Sequence, residues 1–256
     1  MPIINTEHLL LNFLNHDEYT VNSQREFIIQ PIANYFQKPN PSLVQIQLLS
    51  HGLFHPEQTD KAYIRKWLEK DYKLKATQVF NQLKQAWDGP GVNIFILPFN
   101  LNDNSSITGS GLSFTDKILL FLSLEPEKHL IETIMTHEYS HVLRLQTMHH
   151  EEVIQLKDAL IMEGIAEVIT RRKYGKSLLP NITPDKLTIE NLYKQWILPN
   201  LEIRSTHPLY QHLMYGNESI PQYIGYYVGT YLVERWQKSY LVSDNQLIRQ
   251  PTNDFF

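Results

Sequence analysis

Apolar positions in the first 88 residues recur at helical spacing in four stretches: Glu7 to Leu14, Ser23 to Phe36, Ser42 to Leu53, and a long amphipathic run from Thr59 to Ala86. Pro31 and the Pro39-Asn40-Pro41 cluster punctuate this region, because proline brings no N–H to a helical ladder. The texture changes at Gly89-Pro90-Gly91. Val92 to Pro98 and Lys117 to Leu124 are short runs rich in β-formers and predict two strands, with Ser105 to Gly111 between them as a loop or turn. Helical spacing returns with Leu130, Ile131, Ile134 and Met135 and continues through Val142, Leu143 and Leu145. A second apolar helical run follows, from Val153 and Ile154 to Val168 and Ile169, and the two are separated by a turn around Thr147 to His150. The segment Pro221 to Val233 is helical in its later part, with Gly225 and Gly229 on one face where they permit close packing. The pattern predicts an α+β, mainly helical chain: a helical N-terminal region over 1–88, then a domain over 89–256 with a small sheet and a helical C-terminal part.

The chain has 256 residues, 42% of them hydrophobic, enough to bury one large core or two modest ones. A net charge of -4 offers no basic field for phosphates, which argues against nucleic acid as a partner, although the 11 histidines shift that balance in mild acid. With no cysteine, there is neither disulfide stapling nor thiolate chemistry. Met1 to His8 lacks a basic stretch leading into an apolar one, and no window reaches roughly 18 consecutive apolar residues. These features predict a cytoplasmic protein with no membrane partner.

The most informative segment is His137-Glu138-Tyr139-Ser140-His141. Positions i and i+4 of a helix are stacked neighbours, so the two imidazoles can share one Zn²⁺ while Glu138, one position round, is left to act on a bound water. Tyr139 and Ser140 are uncharged, and the flanks are apolar, which predicts a buried helix. His51 and His55 have the same spacing, but no acid lies between them and Pro56 follows at once, so a surface role is expected there and at His149 and His150.

A catalytic zinc holds three protein groups and keeps a fourth position for water. Glu163 and Glu167 fall four apart within the second apolar run, and a carboxylate on an apolar helix face is costly unless it is paired or metal-bound. Residues 142 to 162 suit a helix, a turn and a returning helix, which would bring Glu163 back beside the metal. Gly164 fits a place where the backbone passes close to another group.

This arrangement, H-E-Y-S-H followed after a second helix by E-G-I-A-E, resembles the gluzincin pattern of zinc metallopeptidases. The resemblance implies a zincin-like fold, a small mixed sheet packed on the active-site helix, with the first Glu, here Glu163, as ligand. It also implies that Glu167 hydrogen-bonds a ligand histidine, holding His137 in one tautomer. The longer string His137 to Leu145, Glu163 to Glu167 and Gly225-Tyr226-Tyr227-Val228-Gly229 is similar to a bacterial family of predicted Zn-dependent proteases, YjaZ-like, over most of residues 90 to 250.

The expected chemistry is peptide hydrolysis: metal ligands His137, His141 and Glu163, Zn²⁺ as cofactor, Glu138 as general base, and a peptide or protein as substrate. A second electrophile lowers the barrier to the oxyanion. Tyr226 is the first choice, with Tyr227 and His207 behind it. Two rivals stay open, a metal-binding or partner-binding module without turnover and a zinc hydrolase acting on another substrate class.

Overall fold

The computed structural model describes residues 3–36, 40–100, 108–148, 154–175 and 184–256. It is mainly helical with one three-stranded mixed sheet. The helices are α1 (Thr6–Asn15), α2 (Val21–Gln24), α3 (Gln30–Ala33), α4 (Pro41–Ser50), α5 (Lys61–Leu68), α6 (Tyr72–Ala86), α7 (Leu130–Thr147), α8 (Leu156–Tyr174), α9 (Lys186–Leu192), α10 (Pro208–Tyr215), α11 (Ile224–Gln237) and α12 (Asp244–Ile248). The strands are β1 (Asn93–Pro98), β2 (Gly109–Ser113) and β3 (Lys117–Leu122). Among the described residues no helix is long and apolar enough to cross a membrane. By contact the chain forms two compact units, one of residues 1–84 and 91–135, the other of residues 85–90 and 136–256. The strands thus group with the N-terminal helices, whereas the sequence pattern attaches them to the motif helix. The physical reason is backbone and side-chain pairing with α1, α5 and α6.

In the first unit β3 is central. It pairs parallel with β1, from Asn93 opposite Lys117 to Pro98 opposite Leu122, and antiparallel with β2, from Gly109 opposite Leu122 to Ser113 opposite Ile118. All six β3 residues are buried, as expected of a continuous apolar strand covered on both faces. Helix side chains reach the sheet directly: Thr6 Oγ1 donates to Ile96 O at 2.6 Å, Trp67 Nε1 to Leu122 O at 2.7 Å and Tyr72 Oη to Ser123 O at 2.9 Å.

Three local expectations change. Gly109 to Gly111 lie in strand β2 rather than a turn; β2 is low in β-formers and exists because β3 offers its backbone. A Cβ at Gly109 would lie 2.6 Å from Phe121 O and 2.9 Å from Leu130 Cδ2, so only glycine fits where this strand meets the start of α7. The single helix expected over 59–86 is two, because Asp71 takes a capping position and accepts from the Leu74 N–H at 3.1 Å, restarting the ladder as α6. Pro31 does not interrupt its helix. A π-turn over Arg25–Ile29, closed by Gln30 N–H donating to Arg25 O, widens the preceding turn where the missing N–H would otherwise leave a gap. The turn at Thr147 to His150 and the loop residues 105–107 lie wholly or partly outside the described residues.

The second unit is built on helices. α8 is buried nearly all round from Leu160 to Thr170 and crosses α11 at glycine: a Cβ on Gly164 would sit 2.3 Å from the Gly229 carbonyl carbon, and one on Gly229 would sit 2.0 Å from Leu160 O. Gly225, one turn earlier on α11, packs equally tightly on α10, where a Cβ would come within 2.9 Å of Leu213 O. These approaches set the backbones of α8, α10 and α11 closer than any side chain would allow.

Candidate metal centre

Helix α7 supplies half of the site. His137, Glu138 and His141 are all buried, and the two imidazoles lie with ring centroids 4.5 Å apart and planes at 80°. The motif's inner residues turn the other way. Tyr139 stacks on Trp87 at 5.8 Å with 9° between the planes, and its hydroxyl donates to Pro90 O at 2.8 Å. A Cβ on Gly89 would lie 2.2 Å from that hydroxyl, so Gly89-Pro90 is a fitted seat for α7. One turn after the motif, Arg144 is buried and donates to Ile248 O at 3.1 Å, Gln250 O at 2.9 Å and Thr252 Oγ1 at 2.9 Å. Burial pushes its guanidinium down to about 10. This staple ties the C-terminal residues to α7, and nothing in the local pattern announced it.

Helix α8 supplies the other half. Glu163 Oε2 lies 3.2 Å from His137 Nε2 and 3.4 Å from His141 Nε2. All three donor atoms fall within 4.8 Å of one another. A tetrahedral ion with bonds of about 2.0–2.1 Å holds its donors about 3.3–3.4 Å apart, so both carboxylate-to-imidazole spacings match Zn²⁺. Two imidazoles and one carboxylate are also a donor set that zinc takes with a fourth position left for water.

The charges explain why these groups stay together without unfolding the site. Burial by itself would lower the pKa of His137, but the hydrogen bond and charge of Glu163, joined by the charges of Glu138 and Glu167, push it up to about 9. Burial would raise that of Glu163; the charges of His141 and His137 and their hydrogen bonds overcome it and hold the carboxyl well below the usual carboxylate range. Glu167 is buried, as a carboxylate serving an inner site must be, yet the Nδ1 atoms of His137 and His141 have no hydrogen-bond partner among the described residues. Glu167 therefore acts on His137 through charge and not through the hydrogen bond that the resemblance implied.

The three electrophile candidates have different surroundings. Tyr226, on α11, feels Glu163 and Glu138: burial first, then Glu163 and Tyr215, push its phenol well above the ordinary value, so it keeps its proton beside these carboxylates. Tyr227 is buried, and the acid it feels is Glu167 rather than Glu163, as a step of one position round a helix dictates. His207 is an exposed N-cap whose Nδ1 accepts from the Leu209 N–H at 3.2 Å, so it serves α10 and not the metal centre. Tyr210 and Tyr215, on α10, also feel the Glu163 charge and went unremarked in the sequence. Pro208 and Gly216 bracket their helix by the usual start and stop residues, but tyrosines in such a helix read as packing until the fold brings them to the carboxylate.

Comparisons with known proteins agree with this geometry. The chain is 31% identical over 227 residues to "Uncharacterized protein YjaZ" of Bacillus subtilis (strain 168), covering 85% of each chain. No solved structure matches it. Residues 73–255, which include both motif helices and α11, match the family model described as "Predicted Zn-dependent protease (DUF2268)", and with two imidazoles and a carboxylate already in zinc-like register, the chain belongs to that family.

Proposed function

We propose that this protein is a zinc-dependent peptidase with a gluzincin-type, zincin-like centre. The observation that carries the reading is the convergence of His137 Nε2, His141 Nε2 and Glu163 Oε2, all within 4.8 Å of one another and with Glu163 at 3.2 and 3.4 Å from the two imidazoles, with Glu138 buried on the same helix turn. A Zn²⁺ held by these three side chains supplies a Lewis acid that acidifies water and polarises a carbonyl.

The remaining steps belong to the chain's own residues. Glu138 takes the proton of the attacking water and returns it to the leaving amine, so one carboxylate serves as base and then acid. Tyr226 keeps its phenolic proton and donates a hydrogen bond to the oxygen that gains charge as the tetrahedral centre forms. A metal held only for structure fills all four positions with protein donors and has no use for a base; the three-donor set with a neighbouring carboxylate favours turnover. The substrate class this chemistry fits is a peptide or protein amide.

Elemental mass spectrometry of the purified protein, followed by cleavage of a denatured protein or peptide library, tests the reading. The expected result is about one equivalent of zinc, with hydrolysis that stops on chelation and returns with Zn²⁺. One equivalent of metal without hydrolysis of any peptide would replace the peptidase with a metal-binding module or a hydrolase of another substrate class.

A further inference from the structure

Tyr139 lies inside the metal-binding motif, yet it points away from the three donor atoms. At about 3.6 residues per turn, His137 and His141 are about 40° apart round α7, and Tyr139 falls about 180° from the midpoint between them. The residues behind it form a closed collar. Trp87, itself buried, stacks on the Tyr139 ring at 5.8 Å with 9° between the planes, and Pro90 O accepts from the Tyr139 hydroxyl at 2.8 Å. Between them Asp88 sits at φ 45, a left-handed conformation uncommon outside glycine, and a Cβ on Gly89 would come within 2.2 Å of the Tyr139 oxygen and 3.2 Å of Leu143 Cδ1. Lys173 of α8 places Nζ 5.6 Å from the centre of the Trp87 ring, so this strap meets both helices that carry metal donors. The C-terminal residues close the collar. Arg144 holds Ile248 O and Gln250 O, and Arg249, the residue between those two, donates to Trp87 O at 3.2 Å and to Asp88 O at 3.4 Å.

We infer that residues 87–90 and 248–250 form a collar that sets the rotation of α7, and through it the spacing of His137 and His141 from Glu163, with Tyr139 as the positioning residue. This rests on the metal reading above. A ring held on its face by Trp87 and at its tip by Pro90 O cannot swing sideways, so the helix that carries it cannot turn. The lever is long enough to matter. Side chains reach about 5–6 Å from a helix axis, so a rotation of about 10° would carry both imidazoles about 1 Å sideways. That is close to half a zinc–nitrogen bond, and it exceeds the roughly 0.5 Å within which a preorganised site must be held. A stack that only filled the core would need neither the bond to Pro90 O nor a glycine at position 89.

The test reads the metal geometry directly. Full-length protein is titrated with Co²⁺ alone, whose visible bands report the ligand arrangement well below the unfolding midpoint, and zinc affinity is measured by competition with a chelator. Gly89→Ala is expected to change the bands and weaken zinc roughly tenfold, the lower end of what contacts behind a ligand are worth. Tyr139→Phe keeps the stack but loses the tether, and is expected to weaken zinc several-fold. The double variant is expected to match Tyr139→Phe, because an untethered ring yields to the added methyl. Arg249→Ala, at the exposed joint of the collar, is expected to give a smaller change in the same direction. Gln45→Leu, destabilised in the other unit, supplies the contrast of a lowered midpoint with parental bands. Parental bands and zinc affinity in Gly89→Ala and Tyr139→Phe, with only their midpoints lowered, would reduce the collar to packing and overturn the inference, as would losses that multiply in the double variant. Should Gly89→Ala fail to fold, Tyr139→Phe and Arg249→Ala decide the matter on the same two readouts. Peptide cleavage is not among the readouts, so a parent that binds Co²⁺ and cleaves nothing fails the peptidase reading alone, whereas a parent that takes no Co²⁺ fails the metal reading and the collar with it.

Discussion

Among the described residues, each unit holds a buried cluster of polar side chains, and the two around Gln45 and around Glu163 are built on opposite plans. In the first, Gln24 Nε2 donates to Phe54 O at 2.8 Å, Gln45 Nε2 donates to Gln24 Oε1 and to Val21 O at 2.9 Å each, and Arg25 Nε donates to Gln45 Oε1 at 2.7 Å. Both amides have donor and acceptor in use, so the cluster is saturated and knits helices α2 and α4 together. In the second, His137, His141 and Glu163 press three titratable groups into one spot while both Nδ1 atoms go without partners. A saturated network adds specificity to a core. Convergent groups whose donor atoms all face one point pair with one another when no ion is present and offer that same point to a cation. The contrast locates function by the way hydrogen bonds are left, independently of any motif.

The sharpest test of the contrast is on the second cluster. Glu138→Gln should retain zinc and fold while losing about 10²–10⁴-fold in peptide turnover, the usual weight of a positioned acid–base group. Turnover at the parent rate would show that Glu138 is not the base.

A paired substitution then asks whether the two clusters differ in kind. Gln45→Leu leaves the Arg25 donor and the Gln24 acceptor without their partner and should cost about 1–3 kcal/mol in denaturant unfolding, with zinc stoichiometry unchanged. Glu163→Gln should abolish stoichiometric zinc and, because the His137–Glu163 pair goes with it, also lower the metal-free unfolding midpoint near neutral pH. Loss of zinc in the glutamine-to-leucine variant would erase the distinction.

A smaller effect follows from pH. His137 is pushed up to about 9 in the folded chain from an ordinary 6.5, so its contribution to stability is complete below 6.5 and is lost as pH rises toward 9. Glu163 is held below its ordinary 4.5, so its contribution is present above 4.5 and is lost as pH falls further. For metal-free protein this pair therefore favours a Tm maximum between pH 4.5 and 6.5. Zinc must displace the His137 proton, so its apparent affinity should climb by up to about tenfold per pH unit until near 9. A metal-free Tm that rises from pH 6.5 to 9, measured by calorimetry, would contradict the arrangement of these charges.

Much of the metal centre was legible from the chain because helical periodicity is local. His137 and His141 share a face wherever α7 is a helix, and Glu163 betrayed itself as an acid in an apolar run. Gly164, Gly225 and Gly229 could be read as close-approach residues, and the backbone atoms that an added Cβ would meet at 2.0–2.9 Å show what they approach. Other features could not be read this way. Strand β2 has little strand character of its own and follows from pairing with β3. The break between α5 and α6 turns on one aspartate cap within a continuous amphipathic pattern.

By itself, then, the sequence determined which side chains are chemically able to hold a divalent ion and which carboxylate would stand next to it, since both depend on spacing within single helices. Only the tertiary structure decided that Tyr226 and not His207 lies in the field of Glu163, and that Arg144 fastens the C-terminal residues. Those pairings join residues far apart in the chain, and they are fixed by helix crossings at glycine and by loop closures that no local pattern encodes.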